Sequence, residues 1–406
     1  MVGVNIRSRE GRTKIGIEST FGTASGSMSD IFPIDAVKIG LQQQELQIKD
    51  QSVYRGDFKG TVKGRKSATA DLSVYAKPAQ NQLIALATPS TPPHAKLLKA
   101  IMGGEAAAAG STVLSATSST VFNVQVGDGA NFPVGTILAV EDGVNLPSAA
   151  AVTGAAGDQL TVYPPLPSTP SVGARVINSY TYYQTETNTQ SLTLQHAKAA
   201  SSSFQYELRG GTGSLDFKTD RDSLMTLGAK LQFADWSDGA LGQSIAYAGD
   251  SQHNPIPLVA GFTLLQPLST LTRVQYPFHS ASGKIETSMS ILPQLAGGVQ
   301  QTISTFRGSA DSQATLELMV PADRTLLDTW WASQTPLFCM FGAFDGSGST
   351  ARGIVCGFPQ VIITQRPQPD DSTGRELLKV SLTALLVDHS GSSTELSRAG
   401  VRIALL

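Results

Sequence analysis

The sequence is short of charge. Asp, Glu, Lys and Arg make up 15% of its 406 residues, against roughly a quarter in an average soluble domain. Gly, Ser, Thr, Ala and Gln fill the difference, a mixture suited to extended surfaces that meet other protein. The formal net charge of −2 excludes a global field that would draw the chain onto nucleic acid or an anionic membrane. Cysteine is nearly absent, with only Cys339 and Cys356. Both sit in apolar, strand-like segments and read as buried free thiols. Neither has a histidine at ligand spacing, which excludes a zinc site. No apolar run reaches the length of a membrane span, and Met1–Arg9 lacks the apolar core of a secretory signal. The expectation is a protein made in a cytoplasm, with no membrane partner.

Signatures of catalysis are also missing. His94, His196, His253, His279 and His389 are scattered and form none of the spacings that put ligands on one face. Gly210-Gly211-Thr212-Gly213 lacks the following Lys-Ser/Thr and helix that cradle a phosphate, so it reads as a hairpin turn. Gly346-Ser347-Gly348-Ser349 fares no better, and no Gly-x-Ser-x-Gly elbow precedes a helix. Asp370-Asp371 and the group Asp216, Asp220, Asp222 invite a calcium or acid–base reading. The latter alternates with Lys218 and Arg221, which makes it a salt-bridged turn. Trp330-Trp331 sits on a helix spaced for packing rather than for stacking a sugar. No catalytic residue, cofactor or metal ligand is assigned.

What is present is β pattern. Val37, Ile39 and Leu41 alternate with polar residues, as do Ala68, Ala70, Leu72 and Val74. Between them lies Lys49–Lys66 with six basic residues, Lys49, Arg55, Lys59, Lys63, Arg65 and Lys66, against Asp50 and Asp57. Residues 37–76 thus read as a hairpin with a long basic tip. Helical spacing covers Asn81–Ala87 and Ala95–Met102, with Leu97, Leu98 and Ile101 on one face. Ala106–Gly110 reads as a linker. Residues 111–180 are Gly-, Pro-, Val- and Thr-rich, with short strands between turns, the texture of a small β-barrel or sandwich module inserted into its host. Strands resume at Tyr180–Tyr183 and Ser191–Gln195. Further strands are expected at Phe204–Leu208, Ser214–Lys218 and Leu224–Phe233, then a linker over Ser237–Ser251.

The last third repeats this order. Strands are expected over Leu268–Tyr276, Ile285–Ile291, Gln301–Phe306 and Ala314–Val320, a helix over Asp323–Ser333, and strands over Phe338–Phe344, Gly353–Gln365 and Leu377–Val387. Ser67–Val74 and Ser312–Val320 are each followed by a short helix. Gly213–Phe217 with Met225–Phe233 matches Gly353–Ile363 with Leu378–Leu386. Such a repeat of pattern predicts two copies of one fold. The expected fold class is mainly β with short helices (α+β). The expected division is an arm over 1–33 with little core of its own, a first domain over 34–245 interrupted by the 111–180 module, and a second domain over 246–406.

Lys14-Ile15-Gly16-Ile17-Glu18-Ser19-Thr20-Phe21-Gly22-Thr23 resembles the opening of siphophage tail-tube proteins, where a short strand ends in a Glu-x-Thr-Tyr/Phe-Gly turn. A strand, a charged hairpin and a return strand leading to a helix follow in the same order, over residues 14–102. Residues 200–236 resemble the closing half. The resemblance implies two tail-tube-type β-sandwich or half-barrel domains in one chain, and no enzyme activity. It implies a bacteriophage major tail protein, assembled in the host cytoplasm and carried in the virion tail. Three chains would form a pseudo-hexameric ring, and rings would stack into a tube that conducts the genome. Lys49, Arg55, Lys59, Lys63, Arg65 and Lys66 would make the inter-ring contact. The inserted module would project outward. Implied partners are the chain itself, tail terminator, tape-measure and distal tail proteins, with viral DNA passing through without sequence-specific binding. A second reading is a tail-tip or receptor- or carbohydrate-binding tail protein, which needs exposed aromatics such as Tyr163, Tyr180, Tyr182 and Tyr183. A third, a polysaccharide-active enzyme, needs a carboxylate pair that the sequence does not offer.

Overall fold

The structure is a computed structural model that describes residues 11–48, 60–79, 90–141, 147–185, 190–198, 204–220, 223–240, 255–256, 261–285, 289–296, 299–307, 312–319, 324–345, 352–370, 377–385 and 394–406. It is mainly β. The chain opens with β1 (Gly11–Ile17), β2 (Ser29–Ile31), β3 (Lys38–Ile48) and β4 (Gly60–Tyr75), followed by α1 (Ala95–Met102) and β5 (Gly103–Ala106). Six short strands come next: β6 (Ala109–Ala116), β7 (Val121–Val124), β8 (Ile137–Val140), β9 (Ser148–Ala156), β10 (Gln159–Tyr163) and β11 (Arg175–Asn178). Then come β12 (Tyr180–Gln184), β13 (Leu192–Lys198), β14 (Phe204–Asp220), β15 (Thr226–Phe233) and β16 (Asp235–Ala240). The second half holds β17 (Gly261–Pro267), β18 (Phe278–Ile285), β19 (Met289–Ala296), β20 (Val299–Arg307), β21 (Ser312–Met319) and α2 (Arg324–Ala332). It closes with β22 (Leu337–Asp345), β23 (Arg352–Ile363), β24 (Gln368–Asp370), β25 (Leu377–Ala384), α3 (Glu395–Arg398) and β26 (Arg402–Leu405).

The clean alternation of β4 produces a strand with one wet face. Ala68, Ala70, Leu72 and Val74 are buried while Thr69, Asp71 and Tyr75 are exposed. β3 and β4 pair antiparallel from Lys38↔Asp71 to Ile48↔Gly60, so the hairpin expected over 37–76 is present. The tip, 49–59, lies outside the described residues. Helix α1 spans the predicted Ala95–Met102, buries Leu97, Leu98 and Ile101 completely, and stops where Gly103 takes φ 91°. The helix expected at Asn81–Ala87 lies outside the described residues.

The same order of paired strands occurs twice. In the first half β1 pairs with β13, β13 with β14, β14 with β15, β15 with β4 and β4 with β3. In the second, β17 pairs with β22, β22 with β23, β23 with β25, β25 with β21 and β21 with β18. All of these pairings are antiparallel. A helix follows the return strand of the hairpin in each half, α1 after β4 and α2 after β21. Within each half the chain therefore visits equivalent strands in the same sequence.

Strands β6 to β11 close into a six-stranded barrel in the order β10-β7-β6-β11-β8-β9. The chain leaves for it after β5 and returns in β12, and those two strands pair directly, Thr181↔Ala106 to Gln184↔Gly103. That is the geometry of an insertion, starting two residues earlier than the expected 111–180. The barrel has its own core of Val113, Phe122, Phe132, Leu160 and Val176. A second apolar cluster binds its outer wall, through Ile137, Ala151 and Ile177, to Phe262, Phe338 and Met340 of the second half. β12 also pairs with β26. The module thus arises from the first half and is packed on the second.

Several expectations are corrected. Gly210–Gly213 is no hairpin turn, because β14 runs unbroken from Phe204 to Asp220. Its first part pairs with β13 and β16, its second with β15 and β18. The glycines sit where the strand changes partners. Gly210 takes φ 64°, and a Cβ on Gly213 would lie 1.9 Å from the Lys230 carbonyl oxygen. Glycine here permits a bend and a close backbone approach rather than a reversal. Leu268–Tyr276 is not a strand; the apolar strand lies just before it, in β17. Ile285–Ile291 is split between the end of β18 and the start of β19. Part of the Ser237–Ser251 linker is strand β16, pairing with β14, and Ala106–Gly110 is mostly strand, in β5 and β6. The segment expected as an arm is integrated from residue 11 onward: β1 pairs with β13 and β2, and Ile15 is fully buried.

Candidate assembly interface

The two halves meet edge to edge. β14 of the first half pairs antiparallel with β18 of the second, from Leu215↔Ile285 to Asp220↔Ser280. Phe217 faces Gly283, and a Cβ on that glycine would lie 1.8 Å from Phe217 Cζ. The space taken from the glycine lets the Phe217 ring reach Phe341 and Phe358, at centroid distances of 5.6 and 6.4 Å. A first-half side chain is thereby part of the second-half core. Asp216 faces Lys284, opposite charges on directly opposed positions.

Among the described residues two strand edges lack the partner that this junction supplies. β18 pairs with β21 on one side and β14 on the other, whereas β3, its counterpart, pairs with β4 alone among the described residues. Burial follows. Ala281 and Ile285 are fully buried, but Ile39 and Leu41 remain half-buried and Lys38 is exposed. β24 likewise pairs only with β25 among the described residues, and Pro369 is exposed. Unpaired edges are a liability in a lone chain.

Lys49, Arg55 and Lys59 lie outside the described residues. Lys63 and Arg65 are on β4, and Lys63 is exposed. Lys66 is half-buried and used within the chain. Its Nζ donates to the Trp236 carbonyl oxygen at 3.3 Å and sits 4.6 Å from the Trp236 ring centroid. Trp236 Nε1 donates in turn to the Gln42 carbonyl oxygen at 3.1 Å. Lys66 therefore fastens the hairpin to β16, a contact hidden in sequence by the 170 residues between the partners.

The Glu18-Ser19-Thr20-Phe21-Gly22 turn is a buried clamp. Glu18 is 5% exposed, and its carboxylate accepts from Gly22 N, Gly210 N, Ser191 Oγ and Thr193 Oγ1, at 2.6 to 2.8 Å. One side chain so ties the end of β1 to β13 and to the bend of β14. Glu18→Ala would leave four donors without their acceptor. We expect it to lower the unfolding free energy by about 3 kcal/mol, read as a lower urea midpoint at unchanged slope. A loss below about 0.5 kcal/mol would contradict this role.

Among the described residues, several side chains of reactive type are taken up by packing. His196 is buried with Nδ1 2.9 Å from Thr13 Oγ1, and burial, then the nearby Lys198, pushes its pKa down to about 4. Cys339 and Cys356 are buried free thiols whose pKa values burial raises. They lie on adjacent strands but out of register, Cys339 facing Phe358 and Cys356 facing Phe341. Trp330 is buried on α2. Tyr180 and Tyr182 are buried, and Tyr163 is held edge-on to Phe338 while its hydroxyl donates to the Pro267 carbonyl oxygen. Among the described residues no group of His, Cys, Asp and Glu could hold a metal ion, and no helix is long and apolar enough to cross a membrane. No family model and no curated protein sequence matches the chain.

Proposed function

We propose that this protein is a structural subunit that self-assembles into closed rings stacked as a tube, of the kind that forms the tail tube of a bacteriophage and conducts its genome. The observation that carries the reading is the duplicated strand order joined through β14 and β18. It is a subunit-to-subunit contact written once inside the chain, and the matching edges, β3 and β24, have no second partner strand among the described residues. A closed ring is the arrangement in which such edges all find partners. The two halves are read as tail-tube-type domains, and the sequence resemblance over Lys14–Thr23 supports that. Three chains would then supply six such domains in a pseudo-hexameric ring. No catalytic role is proposed. The tail terminator, tape-measure and distal tail proteins are the expected partners, with the virion tail as the location. The tail-tip reading is less well supported, since Tyr163, Tyr180 and Tyr182 are turned into contacts within the fold.

The test is sedimentation of purified protein over a range of concentration. Species of three 42.6 kDa chains and stacks of them are expected. A chain that remains monomeric at every concentration would sink the proposal.

A further inference from the structure

We propose that β3 of one chain pairs antiparallel with the 367–370 edge of a second copy, in a register that places Ile39 opposite Pro369 and Lys38 opposite Asp370. This rests on the ring reading above and names the residues that close the ring.

The register follows from the strands both halves share. In the first half Leu227 faces Phe217 on one side and Val74 on the other. In the second, Leu378 faces Pro369 and Leu318. Phe217 and Pro369 are therefore equivalent, and so are Val74 and Leu318. Four residues back along the hairpin strands stand Ala70, which faces Ile39, and Ala314, which faces Gly283. Ile39 is thus the counterpart of Gly283. Inside the chain Phe217 faces Gly283, so between chains Pro369 faces Ile39. By the same step Lys218↔Ser282 becomes Asp370↔Lys38, and Leu215↔Ile285 becomes Pro367↔Leu41.

Three features of the two edges fit one another. Size is complementary: the large Phe217 meets glycine inside the chain, and the smaller Pro369 meets isoleucine between chains. Charge is complementary, because Asp370 and Lys38 are opposite in sign on opposed positions. Exposure fits at the central pair: Ile39 and Leu41 are half-buried and Pro369 is exposed, where Gly283, Ile285 and Phe217 are buried, while Pro367 is already buried within its own chain. The prolines set the bonding. Pro369 has no N–H, so the ladder to β25 runs through Gln368 and Asp370, and the Pro369 carbonyl faces the open side. There it accepts from the incoming β3. The junction between chains then carries fewer main-chain bonds than the one within the chain. Prolines on that edge also discourage pairing with unrelated strands.

The test is cysteine cross-linking in the full chain. Ile39→Cys combined with Pro369→Cys places two Cα atoms about 5.5 Å apart in the proposed register, within disulfide range. Mild oxidation is expected to convert most chains into species of two or more, and either single variant to convert under about a tenth. Ile39→Cys with Thr364→Cys, displaced along the strand, is expected to behave like the singles. Rings visible by microscopy without the 39–369 cross-link, or with equal cross-linking at 364, overturn the register and leave the ring reading standing. No assembly of the unmodified protein overturns both. Should the double cysteine variant fail to fold, a charge exchange serves. Lys38→Glu should raise the concentration needed for assembly roughly fivefold, and adding Asp370→Lys should restore it. No restoration overturns the pairing.

Discussion

Phe217→Ala is expected to cost about 4 kcal/mol of unfolding free energy, the range for deleting a fully buried phenylalanine ring. Phe217 is 1% exposed and touches Phe341 and Phe358 across the boundary between halves. Losing it empties the seam that holds β14 on β18. Gly283→Val should be destabilising for the opposite reason. Its new side chain would occupy the volume of the Phe217 ring, which a Cβ alone approaches to 1.8 Å. The two changes compensate in shape, so the double variant should be more stable than the sum of the singles predicts, by at least about 1 kcal/mol. Urea denaturation of the four proteins measures this. Additive losses would mean that Phe217 and Gly283 do not share one packing site, and the seam would lose its physical basis.

The second large effect concerns stacking. Reversing Lys49, Arg55, Lys59 and Lys63 to glutamate should leave rings intact and prevent their growth into tubes, if the basic hairpin docks on acidic surface of the next ring. Arg65 and Lys66 are left in place, because Lys66 holds the hairpin to Trp236 inside the chain. Folding stability should change by less than about 0.5 kcal/mol, as for most surface substitutions. Sedimentation should show single rings in place of long stacks. Tubes of unchanged length in the variant would remove the inter-ring role from these residues. In the second half the counterpart of this hairpin's tip is β19 with β20, between β18 and β21, and those two strands carry one charged residue, Arg307. Strands β19 and β20 therefore offer little charge for such a contact.

Local pattern carried much of this architecture into the sequence. The period-two burial of β4, the single apolar face of α1 and the strand-and-turn texture of the barrel all depend on residues a few positions apart, so they were legible directly. The repeat is legible as an order of elements, because both halves run through the same succession of paired strands. What the sequence does not show depends on distant partners. The glycines of β14 look like a turn in sequence because a turn is the local reason for glycine. Their actual reason is a neighbour, Lys230 at Gly213, and a bend where one strand serves two sets of partners. β16 has the composition of a linker because Ser, Asp and Gly are poor strand formers, and pairing with β14 overrides that preference. Glu18 gave a motif but not its purpose, since its donors come from Ser191, Thr193 and Gly210. The β14·β18 seam left no mark in either strand taken alone.

Negative-stain electron microscopy of the purified, full-length protein tests the central claim most directly. The account predicts end-on views of closed rings with six similar inner lobes and three peripheral densities from the inserted barrels, and side views of stacked rings. Isolated particles of one chain, or open filaments without a central channel, would contradict it.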